Sequence, residues 1–232
     1  MHKQVIGASV ARVLLLALLS TALLAGCTDQ VDIADNIKDQ PTYQDKQLLQ
    51  QAWALPVAAT YQDTFEYQVN WAFCGPATVV NVFKSVGIDT YTQSTLFDDT
   101  NISYWKARIL GLTLDELTQI VSETSSYRVE KLRDLTREEF QQHLLRTNDP
   151  RYRYIINFTR LPLFGVAIGH HSPIGGYLVE KDLVLVLDVL DAYEPFLVPS
   201  DRLYEAMNTI DSETDEKRGL IRVHVAEKAQ SQ

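Results

Sequence analysis

The sequence predicts an α+β fold, with helices from the first half of the chain packed on an antiparallel sheet from the second half. Apolar residues recur at helical spacing before residue 147, whereas the segments after residue 150 are rich in Tyr, Ile, Val and Leu. Residues 27–232 are long enough for one domain with a sizeable core and short for two. An active site is expected between the two layers.

Five segments are predicted to be helices. Residues 46–54 form a short one, and residues 77–86 a clear one, with Pro76 at the first helical position and Gly87 as a left-handed stop. Pairs at capping positions open the other three: Thr113 with Glu116 (114–124), Thr136 with Glu139 (137–146), and Ser200-Asp201 (to Asn208).

Three segments of the second half are predicted to be strands. They are RYRYIINF (151–158), GGYLVEKDLVLVLDVL (175–190) and GLIRVHVA (219–226). Within the second, residues 180–182 form a plausible hairpin turn. The strands therefore form an antiparallel sheet that follows the helices.

The first 26 residues have the layout of a secretory signal peptide. Met1-His2-Lys3 is a short positive start, an almost continuous apolar run extends from Val13 to Leu24, and Ala25-Gly26 are small. The run is too short and poorly flanked for a membrane-spanning helix.

The end of this signal, Leu24-Ala25-Gly26-Cys27, resembles a bacterial lipoprotein box, in which the cysteine becomes the N-terminus and carries acyl chains. The alternative is an ordinary cleaved signal that leaves Cys27 as a thiol. Lipidation predicts anchoring by acyl chains on the periplasmic side of a bacterial membrane. Thr28 stands where many inner-membrane lipoproteins carry aspartate, which favours the outer membrane. Residues 27–45 are predicted to be a flexible tether.

The charge balance argues against nucleic acid or anionic lipid as the main partner. The chain has a formal net charge of −9, and the predicted signal contains Lys3 and Arg12 but no acid, so removing its two positive charges gives −11. If Cys27 is lipidated, Cys74 has no partner for an intramolecular disulfide, and a zinc site built from several thiolates is excluded.

Cys74 lies directly before Gly75-Pro76, at the expected first turn of a helix. The helix macrodipole and unpaired backbone amides lower the pKa of a thiol placed there, which favours the reactive thiolate. The alternative is a small buried hydrophobe, which is how most free cysteines behave. A nucleophilic thiolate also needs a base and an oxyanion donor.

The base candidates are His170 and His171, because His143 lies inside a predicted helix and His224 in a terminal strand, where both are expected to pack or face solvent. Asp188 interrupts an apolar run and, if buried, needs a partner. A simple hairpin would set Asp188 opposite Ile174, and a bulge at residues 175–176 could absorb the difference from His170. A strand end reaching solvent is the other explanation of Asp188.

Two segments resemble the motif blocks of phytochelatin synthase, a papain-like cysteine transpeptidase. They are QVNWAFCGPATVVNVF (68–83) and GHHSPIGGYLVEKDLVLVLDV (169–189). The family pattern is Gln, three variable residues and Ala-Phe-Cys-Gly, and later Gly-His-Phe-Ser-Pro-Ile-Gly-Gly-Tyr and Leu-Asp-Val. Similarity continues through VPSDRLYEAMNTID to KRGL and covers residues 45–225. It implies a papain-like catalytic domain over residues 46–226, with a tail at 227–232.

Matched position by position, the resemblance implies a set of site residues. Cys74 is the nucleophile, His170 the general base and acid, and Asp188 the carboxylate that orients it. The family histidine directly follows glycine, which selects His170 over His171. The remaining implied residues are Gln68 as an oxyanion donor and Gly169, Asp211 and Arg218 as substrate-binding residues, the last two holding the glutamyl end of the substrate.

The sequence departs from the family pattern at three places. His171 replaces Phe, which changes the pocket wall or adds a second titrating group. Asp191 stands where the family often has Arg, so any substrate contact of that arginine is in doubt. The cysteine-rich C-terminal region of the eukaryotic enzymes has no counterpart before Gln232, and the resemblance is to the catalytic half alone.

The activity implied is glutathione γ-glutamylcysteinyl transfer, in which Cys74 releases glycine and the thioester passes to a second glutathione or to water. The alternatives are a papain-like peptidase acting on other small peptides and a lipid-anchored protein that binds thiols or metals without catalysis. No cofactor is expected, and heavy-metal ions enter as glutathione thiolates rather than at a protein site. The expected partners are glutathione and the membrane; a homodimer is left open.

Overall fold

The computed structural model describes residues 36–228, with side chains described through residue 226. Helices dominate this part up to residue 146 and strands dominate after it. The helices are α1 Lys46–Trp53, α2 Cys74–Lys84, α3 Tyr104–Leu110, α4 Leu114–Thr124, α5 Arg137–Arg146, α6 Leu161–Phe164 and α7 Ser200–Met207. No described helix is both long and apolar enough to span a membrane.

The helix ends follow from local sequence. Thr113 and Thr136 cap α4 and α5 in full capping boxes, as predicted. Helix α2 begins at Cys74, earlier than predicted, and Pro76 lies inside its first turn. Proline is tolerated there because N–H groups of the first turn have no acceptor within the helix, so the missing N–H costs no hydrogen bond. Gly87 has φ +82° and ends this helical region as expected.

The strands form one six-stranded antiparallel sheet in the order β1-β8-β2-β3-β4-β5 and one small two-stranded sheet, β6-β7. Their bounds are β1 Tyr127–Leu132, β2 Tyr152–Thr159, β3 Gly169–Leu178, β4 Leu183–Val186, β5 Phe196–Pro199, β6 Ile210–Asp211, β7 Glu216–Lys217 and β8 Leu220–Lys228. The predicted α+β class is confirmed.

Strand β3 begins at Gly169, six residues before its predicted start, so both histidines lie inside it. Its pairing with β4 shifts between Ile174 and Gly176, because Ile174 pairs with Val186 and Gly176 with Leu185. The bulge therefore falls where the glycine pair predicted it, and the simple register that would have placed Ile174 opposite Asp188 does not occur.

Apolar residues cover both faces of the large sheet. One cluster packs α2 and α4 on one face and includes Val79, Leu117 and Ile155, whereas the other packs α5 and α7 on the opposite face and includes Tyr154 and Ile156. Neighbouring residues of β2 thus enter different clusters, as strand alternation requires. Helices lie on both sides of the sheet rather than on one.

The predicted tether is wrong for residues 37–45. Ile37 and Tyr43 are buried, and the Tyr43 ring packs against Phe164 and Phe196. The backbone carbonyl of Tyr43 accepts a hydrogen bond from the Leu197 N–H at 2.9 Å. Burying these two apolar side chains stabilises a segment that charge and polarity alone predicted to be loose. The domain begins before residue 46.

The predicted signal peptide, Cys27 and the first part of the tether lie outside the described residues. The predicted C-terminal tail starts inside β8, which extends to Lys228; residues 229–232 also lie outside the described part.

Candidate active site

Helix α2 places Cys74 at its first turn, over the start of β3. The Thr78 hydroxyl donates to the His171 carbonyl at 3.0 Å, which ties the helix to the strand one turn beyond the thiol. Gly75 lets the helix approach its neighbours closely, since a Cβ there would lie 3.1 Å from Leu112 and 3.2 Å from Leu117. Cys74 is a free, partly exposed thiol.

The structure pairs two members of the predicted triad and places the neighbouring histidine beside the third. The His170 Nε2 lies 3.0 Å from Asp188 Oδ1, and the His171 Nδ1 lies 3.9 Å from the Cys74 sulfur. Since the His170 Nε2 faces a carboxylate, that nitrogen carries the proton in the neutral ring. Continued past the bulge in β3, the pairing of Ile174 with Val186 sets residue 188 opposite residue 172, nearer to His170 than the simple hairpin would.

Arg160, which the sequence analysis did not single out, holds the carboxylate from behind. Its Nη2 donates to both Asp188 oxygens, at 2.9 and 2.7 Å, and the Leu190 N–H donates to Oδ1 at 2.9 Å. The Arg160 guanidinium lies 3.7 Å from the centroid of the Tyr193 ring. The sequence did contain a signal for Arg160, which lies two residues after the last apolar residue of β2. A buried acid at residue 188 needs a cationic partner of this kind.

The protonation of the triad favours an ion pair. Burial opposes ionisation of Cys74, but hydrogen bonds and attraction from His170 and His171 outweigh it and lower the thiol pKa well below its ordinary value. Burial lowers the pKa of His170, but attraction to Asp188 and the hydrogen bond with it together outweigh burial, so the pKa lies above its ordinary value. Burial raises the pKa of Asp188, and the nearby positive charges of His170 and Arg160 bring it below its ordinary value.

A cavity of about 350 Å³ opens beside the thiol. This volume is within the range of small-molecule sites. Cys74, His171, Asn157, Asp211 and Arg218 are among the residues that line it. His170 and Asp188 do not line it, so the two neighbouring histidines have different surroundings.

Asp211 and Arg218, predicted to bind substrate, form an ion pair in the cavity. The Arg218 Nη1 lies 2.8 Å from Asp211 Oδ2. Gly169 makes room for this pair, because a Cβ on it would come within 2.7 Å of Nη1. Asn157 is a second residue that the sequence analysis missed: its Nδ2 donates to the His170 carbonyl at 3.3 Å, and its Oδ1 accepts from Arg218 at 3.4 Å.

Gln68 lies on the loop that enters α2. Its Nε2 donates to the backbone carbonyls of Asn70 and Trp71, at 2.9 and 3.0 Å, while its Oε1 is buried without a hydrogen-bond partner among the described residues. The side chain thus braces the turn leading to Cys74. Its role as an oxyanion donor stays a prediction.

Exposed apolar side chains surround the mouth of the cavity. Trp71 is 75% exposed, and Ile109, Leu110 and Ile168 are each more than half exposed. No group of three or more His, Cys, Asp and Glu side chains within residues 36–228 is arranged to hold a metal ion.

Two comparisons of the sequence agree on one family. A family model described as phytochelatin synthase matches residues 28–220. The chain is 31% identical over 179 residues to glutathione gamma-glutamylcysteinyltransferase 3 of Lotus japonicus, covering 72% of this chain and 37% of that protein. It is 33% identical over 172 residues to glutathione gamma-glutamylcysteinyltransferase 1 of Triticum aestivum, covering 68% of this chain and 33% of that protein.

The chain therefore spans about a third of the length of the curated relatives it matches. Among solved structures, the peptidase domain of Streptococcus ComA, a bi-functional ABC transporter, is similar with a TM-score of 0.47 and 15% identity, over 68% of this chain and 93% of that one.

Proposed function

This chain belongs to the phytochelatin synthase family, and on that premise we propose that it is a cysteine acyltransferase that cleaves the Cys–Gly bond of glutathione. The observation that carries the proposal is a cavity that Cys74 shares with an arginine–carboxylate pair, with the His171 Nδ1 3.9 Å from the sulfur and the Asp188-oriented His170 among the groups that lower the thiol pKa. A thiolate, a tethered imidazole and an orienting carboxylate are the parts that nucleophilic acyl transfer requires.

The first half of the reaction acylates Cys74. The thiolate sulfur attacks the carbonyl carbon of the Cys–Gly peptide bond, and the developing oxyanion is placed near the free N–H groups of the first turn of α2. The His170 imidazolium donates its proton to the departing nitrogen, the C–N bond breaks, and glycine leaves. A γ-glutamylcysteinyl thioester remains on Cys74.

The second half resolves the thioester. Attack by water gives γ-glutamylcysteine, whereas attack by the α-amine of a second glutathione gives a product longer by one γ-glutamylcysteinyl unit. In either case the C–S bond breaks and the thiolate is restored.

Opposite charges in the cavity fit the γ-glutamyl end of glutathione. That end carries an α-amino and an α-carboxylate group, which match Asp211 and Arg218 respectively. Because both side chains already pair with one another, binding exchanges one ionic contact for two.

Glycine release tests the proposal directly. Purified wild-type protein is expected to release glycine from glutathione, and Cys74→Ser is expected to release none above background. His170→Asn should lose activity to a similar extent, whereas His143→Gln, a histidine outside the cavity, should keep it. Equal rates for wild type and Cys74→Ser would overturn the proposal.

Substrate competition separates this activity from a papain-like peptidase. Glutathione and an α-linked tripeptide of the same residues are compared for glycine release under identical conditions. A preference for the γ-linked compound of at least tenfold supports the proposed substrate, and a reversed preference identifies a general peptidase.

Metal ions are proposed to act as glutathione thiolates, with no resident cofactor. Added Cd²⁺ or Zn²⁺ should then change product yield in proportion to the metal–glutathione complex formed. Activity that survives dialysis against a chelator, measured with glutathione alone, is the expected result.

Lipid anchoring at Cys27 is proposed from the lipoprotein-like segment around it. The full chain should partition into detergent and carry acyl groups by mass spectrometry, and Cys27→Ala should lose both. Fractionation then tests the proposed periplasmic face and outer membrane, and light scattering tests the homodimer.

A further inference from the structure

His171 is the one cavity-facing imidazole that the mechanism above leaves without a task. Its Nδ1 lies 3.9 Å from the Cys74 sulfur, and its side chain is buried while lining the cavity. Its Nε2 has no hydrogen-bond partner among the described residues.

The partners of His170 and His171 differ. His170 is held by Asp188 through Nε2, so its ring is oriented before substrate arrives. The His171 ring is fixed through its strand, with the Thr78 hydroxyl on its carbonyl, but no carboxylate holds either nitrogen. A buried nitrogen left without a hydrogen bond carries a desolvation cost. A water or substrate atom in the cavity would remove that cost.

We propose that His171 is a second catalytic imidazole, the base that activates the water or amine which resolves the Cys74 thioester. The inference rests on the proposed function and deepens it. His171 accepts a proton from the nucleophile as the nucleophile's oxygen or nitrogen attacks the thioester carbonyl. The C–S bond then breaks, which restores the Cys74 thiolate, and the proton passes from His171 through cavity water to His170, which donates it to the next departing glycine.

The position of the thioester supports this division of tasks. Once the sulfur is acylated, it no longer carries the negative charge that attracts a proton. Cys74 and His171 line the same cavity, and the His171 Nδ1 lies 3.9 Å from the sulfur, so the acyl carbon bonded to that sulfur lies close to His171. His170, which Asp188 orients, is assigned the protonation of the departing glycine. One imidazole then acts mainly in acylation and the other mainly in deacylation.

Single-turnover and steady-state kinetics on His171→Phe test the inference. Phe keeps the ring volume and removes the nitrogens. Glycine release in the first turnover should change less than threefold, whereas steady-state release should fall about 30-fold or more, since a general base typically contributes 10²–10⁴-fold. The acylated protein should accumulate and be visible by intact mass spectrometry.

Two further variants separate chemistry from packing. His171→Ala should show the same deacylation defect, and added imidazole should restore at least a tenfold gain in steady-state rate. His143→Ala, a buried histidine outside the cavity, should show neither the defect nor the gain.

Each result decides the question. Loss of the first-turnover burst in His171→Phe would make His171 the acylation base and overturn the inference, and so would an unchanged steady-state rate or the absence of imidazole rescue. If the wild type releases no glycine, the proposed function fails. The same variants are then acylated with a p-nitrophenyl ester, and the loss of acyl group from Cys74 is compared directly.

Discussion

Two arginine–carboxylate pairs lie near the start of the histidine strand β3, and they differ in how far water reaches them. Arg160 and Asp188 are 2% and 0% exposed, beneath aromatic rings and behind His170. Arg218 and Asp211 are 8% and 14% exposed and line the cavity. The same two chemical groups therefore have different uses: the dry pair cannot exchange partners and fixes an imidazole, whereas the wetter pair is open to a ligand.

Replacing Asp188 of the dry pair should have the largest effect on activity and stability. Asp188→Asn keeps the shape but removes the charge that balances Arg160 and orients His170. We expect kcat/KM for glycine release to fall about 10⁴-fold, as when the orienting carboxylate of a serine-protease triad is lost, and the free energy of unfolding to fall by about 3–5 kcal/mol. Denaturant titration and initial rates measure both. Activity within tenfold of wild type would contradict the assignment.

Removing the arginine of the dry pair should have the next largest effect. Arg160→Leu leaves Asp188 with His170 and one backbone N–H, so we expect a loss of about 3 kcal/mol in unfolding free energy and a smaller loss of activity than for Asp188→Asn. The double variant Arg160→Leu, Asp188→Leu should recover most of that stability without recovering activity. Recovery of both would mean that the pair serves stability alone.

Removing the arginine of the wetter pair should raise KM for glutathione. Arg218→Ala removes a charge-assisted contact worth about 1.5–3 kcal/mol, so KM for glutathione should rise about 10- to 100-fold while the melting temperature changes little. The matched variant Arg222→Ala removes an arginine of β8 that pairs with Glu130 outside the cavity and should leave KM unchanged. A change confined to kcat would contradict a ligand-binding role.

Gly169→Ala should give a milder version of the same result. The added Cβ displaces the Arg218 guanidinium, the end of a flexible side chain, without removing it. KM is expected to rise about 3- to 10-fold at unchanged kcat. If Gly169→Ala and Arg218→Ala are combined, the two effects should not add, because they act on the same contact.

The smallest effect is expected in the pH dependence of Cys74 alkylation. The lowered thiol pKa means that iodoacetamide reacts at nearly its full rate well below the ordinary thiol range, and that the rate falls only as pH drops through the lowered value. Asp188→Asn weakens the charge on His170, so its midpoint should move upward towards that of a free thiol. Arg218→Ala should move it less. Equal midpoints in wild type and Asp188→Asn would contradict the ion pair.

The sequence predicts those parts of the fold that have strong local signals. The capping boxes define α4 and α5, and Gly87 marks the end of the α2 region. Strand β5 was missed because it is only four residues long, and β1 was missed because it is short and pairs with β8, far along the chain. The packing of Ile37 and Tyr43 was missed because two apolar residues in a polar stretch show no periodicity.

The site was predictable where a motif contains the residue and unpredictable where only three-dimensional packing does. Cys74, His170 and Asp188 lie in the motif segments, and the structure pairs His170 with Asp188 and sets His171, the next residue, beside the thiol. Arg160 and Asn157 lie between the motifs, and their roles depend on the register of β2 against β3. That register is set by pairing of the whole sheet, which no short segment specifies.

The turn between β3 and β4 lies at the far end of both strands from the sulfur, yet its length determines which face of the sheet residue 188 occupies. One residue gained or lost in 179–182 would rotate the carboxylate away from the imidazole, unless a second irregularity compensated. Catalysis thus constrains the number of residues in this loop more tightly than most of their identities. Loop-grafting experiments at this turn are expected to fail at changes of count and to tolerate changes of composition, except at residue 182, where Asp182 has φ +52° and accepts a hydrogen bond from the Tyr177 hydroxyl at 2.6 Å.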